Sequence, residues 1–91
     1  MEFKDTIEMM MSDDYKERFK AEYYQTKIRY ERLKRFNTRI EAAHSSSYGN
    51  VKRVEMPKHD CPDDLLRDQQ RMMGEYLHIL EIRAVIEGID L

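Results

Sequence analysis

Tyrosines and basic residues interleave along one stretch of this 91-residue chain: Tyr15, Lys16, Arg18, Lys20, Tyr23, Tyr24, Lys27, Arg29, Tyr30 and Arg32. Side chains of these types hold nucleotides, because aromatic faces stack on bases while ammonium and guanidinium groups hold phosphate oxygens. Helical spacing divides the set. Tyr23 and Tyr30 fall on an apolar seam and read as packing residues with their hydroxyls at the rim. Tyr15, Tyr24 and Tyr48 lie off that seam, free for a ligand. The ligand-contact set expected on this basis is Tyr15, Arg18, Tyr24 and Lys27, with Arg53 from a downstream loop. Lys52 and Lys58 flank Arg53, and loops carry function disproportionately; a solvated connector is the competing reading.

Other chemistry is thinly represented. His59-x-Cys61, with His44 and His78 elsewhere, supplies metal-capable groups, but the paired spacings of a zinc site are missing, so no metal is expected. Cys61 next to a helix start has one route to a lowered pKa, but neighbouring acids oppose it and nothing supplies a base. Asp13-Asp14 and Asp63-Asp64 read as helix-start charges rather than acid–base pairs. GxGxxG, P-loop, GxSxG and HExxH patterns are absent from the sequence. The expectation is a protein that is not an enzyme and carries no catalytic residues and no cofactor.

Composition sets the scale. Ninety-one residues make one small domain with little interior. Charged residues are 37% of the chain, against a large core, yet hydrophobics at 41% are too many for disorder. Oligomerisation supplies missing buried area in such chains, so a homo-oligomer is expected. A net charge of −2 demands neither nucleic acid nor an anionic membrane. The charge is nonetheless segregated: residues 24–40 carry Lys27, Arg29, Arg32, Lys34, Arg35 and Arg39 against Glu31, while residues 62–91 are mostly acidic. Two readings stand, basic and acidic helices pairing side by side or a basic ligand-facing surface. One cysteine suits a reducing cytoplasm, no apolar run approaches a membrane span, and the first residues lack a basic signal-peptide start.

The elements that must position these groups are helical. Residues 2–11 form a short amphipathic piece, Phe3, Ile7, Met10 and Met11 sharing a face, too short to stand alone. A long helix over 12–43 follows, with Ser12 as its cap. Its seam runs Phe19, Tyr23, Thr26, Tyr30, Leu33, Asn37 and Ile40, alternating by four and three as in a coiled coil. Thr26 and Asn37 interrupt it and trade stability for register. Ala21, Tyr24 and Ile28 mark a second apolar side, which calls for a second partner, the N-terminal piece or another subunit. A connector spans 44–60, longer than a helical hairpin needs, with weak strand character at Val51, Val54 and Met56.

Pro62 suits the first position of a second long helix over 61–88, with Asp60 or Cys61 as cap. That helix has two seams: Leu66, Gln70, Met73, Leu77, Leu80 and Ala84; and Leu65, Met72, Tyr76, Ile79 and Ile86. From Tyr76 to Ile89 it is apolar on most sides, which predicts the most buried part of the assembly. Gly74 in mid-helix predicts a close crossing, and Gly88 a helix stop with Ile89 and Leu91 tucking back. The fold class expected is all-α: a hairpin of two long antiparallel helices with a short N-terminal helix, assembled as a homo-oligomer.

The stretch Ser12-Asp13-Asp14-Tyr15-Lys16-Glu17-Arg18-Phe19-Lys20-Ala21-Glu22-Tyr23, continued by Lys27-Ile28-Arg29-Tyr30, resembles a family of short phage and prophage proteins of gut Firmicutes related to an open reading frame of crAss-like phages. Cys61-Pro62, Met73-x-x-Tyr76-Leu77 and Leu80-Glu81-x-Arg83-Ala84-x-Ile86-Glu87-Gly88 are similar to that family's ending. Residues 44–60 look longer or more divergent than its usual connector. The resemblance implies a phage accessory protein made in the host bacterial cytoplasm, where such proteins commonly disable immunity. Its leading implication is non-enzymatic sequestration of a nucleotide second messenger. The alternatives are a binding module that occludes a host immune or replication protein, and a structural assembly factor.

Overall fold

The computed structural model describes residues 1–46 and 52–91; Tyr48 and Val51 lie outside the described residues. A 3-10 turn, Phe3–Thr6, runs into the short helix α1, Ile7–Met10; two long helices follow, α2 over Tyr15–Ser45 and α3 over Asp63–Glu87. No strand occurs among the described residues, and Val54 and Met56 sit in irregular backbone.

Local chemistry sets the helix ends. Asp14, not Ser12, caps α2: its carboxylate accepts the Lys16 N–H at 2.9 Å. Ser12 acts one step earlier, its hydroxyl accepting from Asp14 N–H, which fixes the approach to the cap. At the other end α2 runs two residues beyond the expected stop, so His44 is helical rather than part of the connector. Pro62 is the N-cap of α3 rather than its first turn, with extended backbone (ψ 145°) and no side-chain cap bond; Asp63 and Asp64 take the first turn. Gly88 ends α3 in the left-handed region at φ 70°, and the Gly88 and Ile89 N–H groups both donate to Ala84 carbonyl oxygen, a Schellman-type finish that only glycine adopts cheaply. Ile89 is thereby buried, while Leu91 stays exposed.

The two long helices run antiparallel: Tyr15 near the start of α2 meets Glu87 at the end of α3, and Asn37 farther along α2 meets Gln70. Buried in their contact are Phe19, Tyr23, Leu77, Leu80, Ala84 and Ile89, with Tyr30 packed alongside. The closest approach is at Gly74, where a Cβ would stand 3.2 Å from Tyr30 Cε1. Thr6, wholly buried, accepts a bond from Gln25 Nε2 at 2.9 Å and so ties the N-terminal piece to α2. That piece, rather than another subunit, takes the second side of α2.

The shape is a rod of 55 × 25 × 22 Å with a radius of gyration of 17.1 Å, against about 12 Å for a compact chain of this length. A rod buries little. The end of α3, expected to be the most buried region, is split within one chain: Leu80 and Ala84 are covered, but Ile79, Ile82, Val85 and Ile86 face solvent. The physical reason is geometric, since one partner helix covers only one side of α3.

Candidate ligand-binding groove

Lys27, Glu31, Arg35 and Arg39 recur every fourth residue and so line one face of α2. That face flanks the Tyr23–Tyr30–Asn37 side that meets α3: Lys27 and Glu31 share a hollow with Gly74, Leu77 and Glu81, while Arg35 and Arg39 are exposed farther along. Where it passes the N-terminal segment it forms an open groove of about 390 Å³, lined by Met1, Glu2, Tyr24, Lys27, Ile28, Glu31, Arg32 and Arg35. A second hollow of about 480 Å³ continues it past Lys34, Arg35, Thr38 and Arg39. Five cations thus stand along the track against two acids, Glu2 and Glu31. Among the described residues none of the five lies within 4 Å of a carboxylate.

Rings just outside the lining pre-arrange its side chains. Phe3 lies beneath two guanidinium groups, Arg32 at 4.8 Å and Arg29 at 5.9 Å from its ring centroid; such contacts orient the arginines without neutralising them. Tyr24 stands edge-on to Tyr23, ring centroids 5.3 Å apart, at the groove's upper end. Lys27 Nζ sits 5.9 Å over the Tyr23 ring. The arrangement fits an anion with a flat apolar part: cations along a track, an aromatic ring at its head.

Of the residues expected to contact a ligand, Tyr24 and Lys27 share this groove. Tyr15 and Tyr24 are nine residues apart, two and a half helical turns, so they lie on opposite sides of α2 about 13 Å apart along its axis. The Tyr15 ring is exposed, but its hydroxyl donates to Glu87 at 2.8 Å and accepts from Arg83 at 2.7 Å. The Glu87 carboxylate raises the Tyr15 pKa, chiefly through that bond. Arg18 donates to Ser12 carbonyl oxygen at 2.8 Å, bracing the turn before α2. Arg53 is exposed in the connector, and the groove lining does not include it.

Arg32, Lys34, Arg35 and Arg39 were absent from the expected contact set, although the basic excess over residues 24–40 announces them. The reading that set them against the acids of α3 is corrected by the structure: among the described residues no carboxylate of α3 pairs with them. The helices are instead joined by tyrosine–glutamate bonds. Tyr23 donates to Glu81 at 2.6 Å, and Tyr76 donates to Glu22. Burial, then the bond to Glu81, pushes the Tyr23 hydroxyl up to about 12, so it stays a donor throughout the physiological range. Deep burial and this role place Tyr23 in the fold, not in a site.

A second polar cluster lies at the far end of the rod. Asp63 accepts from His59 Nε2 at 2.6 Å and pairs with His44 Nε2 at 3.1 Å, while His59 Nδ1 faces Pro57 carbonyl oxygen at 2.7 Å. Both nitrogens of His59 face acceptors, which is the environment of an imidazolium. The Asp63 bond raises the His59 pKa, and the same bond with that of His44 holds Asp63 below its usual range. His59 also meets Phe36 edge-on. The cluster fastens the connector to both long helices. Among the described residues no group of three or more His, Cys, Asp or Glu side chains is placed to hold a metal ion, and no helix is long and apolar enough to cross a membrane.

Fold and groove together define a class: an elongated all-helical protein with a cationic, solvent-open groove on its longest helix. A family model described as Sequestin matches residues 13–86, which takes in all of α3 but its last residue and all of α2. The chain belongs to the Sequestin family. No curated protein and no solved structure matches it.

Proposed function

We propose that the protein is a non-enzymatic phage counter-defence factor that sequesters a nucleotide immune signal in the host bacterial cytoplasm. The observation that carries this reading is the row of cations Lys27, Arg32, Lys34, Arg35 and Arg39, without a carboxylate partner among the described residues, running from Tyr24 down an open groove. Phosphate oxygens bind such a row, and a base stacks on the ring at its head. The family description, Sequestin, names holding rather than conversion. Tyr24 and Lys27 are the primary contacts. Tyr15, Arg18 and Arg53 lie outside the groove of the same chain, and they reach the ligand only where a neighbouring copy presents them.

Occlusion of a host immune or replication protein is the second reading. It draws on Ile7, Met10 and Met11, apolar side chains exposed side by side on the N-terminal piece, in the manner of a helix that docks in a partner's groove. A purely structural assembly role leaves the groove cations without a purpose.

Thermal shifts with a panel of cyclic and linear nucleotides separate these readings. Ligand at a hundredfold excess over Kd adds about 2.7 kcal/mol, on the order of 10–20 °C for a domain of this size. Arg35→Glu should abolish the shift with little change in the unliganded melt; Tyr24→Ala should abolish it too, while lowering the unliganded melt because Tyr24 packs against the core beside Tyr23. No shift with any nucleotide, together with co-purification of a host protein dependent on Met10 and Met11, refutes sequestration.

A further inference from the structure

We infer that the exposed seam of α3 is a self-association face on which a second copy packs its own α3 antiparallel about a two-fold axis. This does not rest on the nucleotide reading. Of the two apolar seams on α3, the intrachain contact buries only one; of the other it engages Tyr76, whose hydroxyl donates to Glu22. The other leaves Leu65 58%, Met72 62%, Ile79 53% and Ile86 78% exposed, in heptad register over three heptads. Tyr76, 39% exposed, sits at its middle, and an open apolar hollow lies between Leu65 and Tyr76. A lone helix in water has no use for such a stripe; a heptad seam is the pattern of helix pairing.

Charge and spacing choose the partner and its direction. With the axis passing between Glu75 and Tyr76, antiparallel packing places Leu65 in a layer with Ile86 of the second copy and Met72 with Ile79. The same register sets Asp68 beside Arg83 at both ends of the contact. Asp68 is 61% exposed and pairs only loosely with Arg71 at 3.5 Å; Arg83 is 47% exposed, its Nε and Nη2 bonded to Glu87 and Tyr15 of the same chain, so the charge left for a partner is on Nη1. Parallel packing instead sets Asp68 against Asp68 and Arg83 against Arg83. Opposite charges across a helix interface decide orientation, and like charges exclude the alternative. A two-fold pairing uses the same patch on both copies, as isologous dimers do.

The area suffices. Large side chains offer roughly 200 Å² each, and five at about half exposure bring on the order of 500 Å² per copy. The resulting total of about 1,000 Å² is at the low end of biological interfaces, in the range of weak or transient association. It also covers Ile79 and Ile86, two of the four apolar side chains that a single chain leaves open near the end of α3.

The experiment uses the full chain with Cys61→Ser, which removes the free thiol. Met72→Cys and Ile79→Cys proteins are prepared separately, mixed and oxidised. The mixture should form a disulfide-linked pair in high yield, and Met72→Cys alone should not. Sedimentation should give the parent protein a mass above one chain of 11.1 kDa. Ile79→Asp should weaken association by at least about 100-fold with helical circular dichroism unchanged. Val85→Asp, equally exposed on α3 but off the seam, should leave it intact. A one-chain mass for the parent, efficient self-crosslinking of Met72→Cys, or an Ile79→Asp protein that associates like the parent each overturns the inference.

Discussion

Replacing Gly74 tests how tightly the two long helices are locked. Glycine in a helix interior costs about 1 kcal/mol relative to alanine, so Gly74→Ala gains that much if nothing opposes it. The opposing contact is Tyr30, whose Cε1 would stand 3.2 Å from the new methyl and whose hydroxyl 3.5 Å. Relief needs a ring shift of a few tenths of an ångström. Tyr30 is half-buried, and an open hollow of about 220 Å³ adjoins it, lined by Lys27, Glu31, Gly74, Leu77 and Glu81 among others. The ring therefore has somewhere to go. With a small repacking cost of about 0.5 kcal/mol the net gain is about 0.5 kcal/mol. For a domain of this size that raises Tm by about 2–4 °C. Gly74→Leu adds three more carbons beyond a Cβ that already stands 3.2 Å from Tyr30, so it should cost about 1–3 kcal/mol. Melting by circular dichroism at one fixed protein concentration measures both, and Tyr30→Ala combined with Gly74→Leu should recover part of the loss. A loss of more than about 1 kcal/mol in Gly74→Ala itself would show that the Tyr30 ring is locked and cannot shift into the hollow.

Two further outcomes follow from the polar contacts. Asn37 is 3% exposed, donates to Leu66 carbonyl oxygen at 3.1 Å and to Gln70 Oε1 at 2.8 Å, and its own Oδ1 has no partner among the described residues. Asn37→Leu should hold or raise stability by up to about 1 kcal/mol in urea melts while broadening the amide NMR lines as register is lost; sharp lines would show that Asn37 does not set it. The Asp63 cluster should give the end of the rod a pH window. His59 is raised above its ordinary 6.5, so its contribution is complete below that value and is lost as pH rises through the higher folded value. Asp63 is lowered from 3.8, so its contribution is complete above that value and is lost as pH falls through the lower one. Amide protection factors at residues 52–60, the exchange rates corrected for their intrinsic pH dependence, should therefore be highest between about pH 4 and 6.5, and Asp63→Asn should flatten that profile; parent protection that does not change with pH from below to above this window would show that the cluster does not hold the connector.

Periodicity and end signals carry much of this protein in the sequence itself. The heptad seam from Phe19 to Ile40, the glycine stop at Gly88 and the two seams of α3 are all local patterns, and local patterns are set by backbone geometry within a few residues. The close approach at Gly74 was legible for the same reason, because a glycine in mid-helix costs stability that only a neighbour's proximity offsets. What lay beyond the sequence was which face meets what. A net +5 segment and an acidic helix suggest a charge-matched pair, yet the pairing is made by tyrosine hydroxyls on glutamates, leaving the cations turned outward. That outcome depends on the rotation of α2 against α3, fixed by Phe19, Tyr23, Leu77, Leu80 and Ala84 together. Tyr15 and Arg18 show the same limit: their types promised ligand contact, and their neighbours, Glu87, Arg83 and Ser12, tie them into the scaffold. The sequence by itself determined the helices, their ends and their apolar stripes; the tertiary structure alone decided which stripe was buried and which basic face became a groove, because burial belongs to pairs of elements and not to either one.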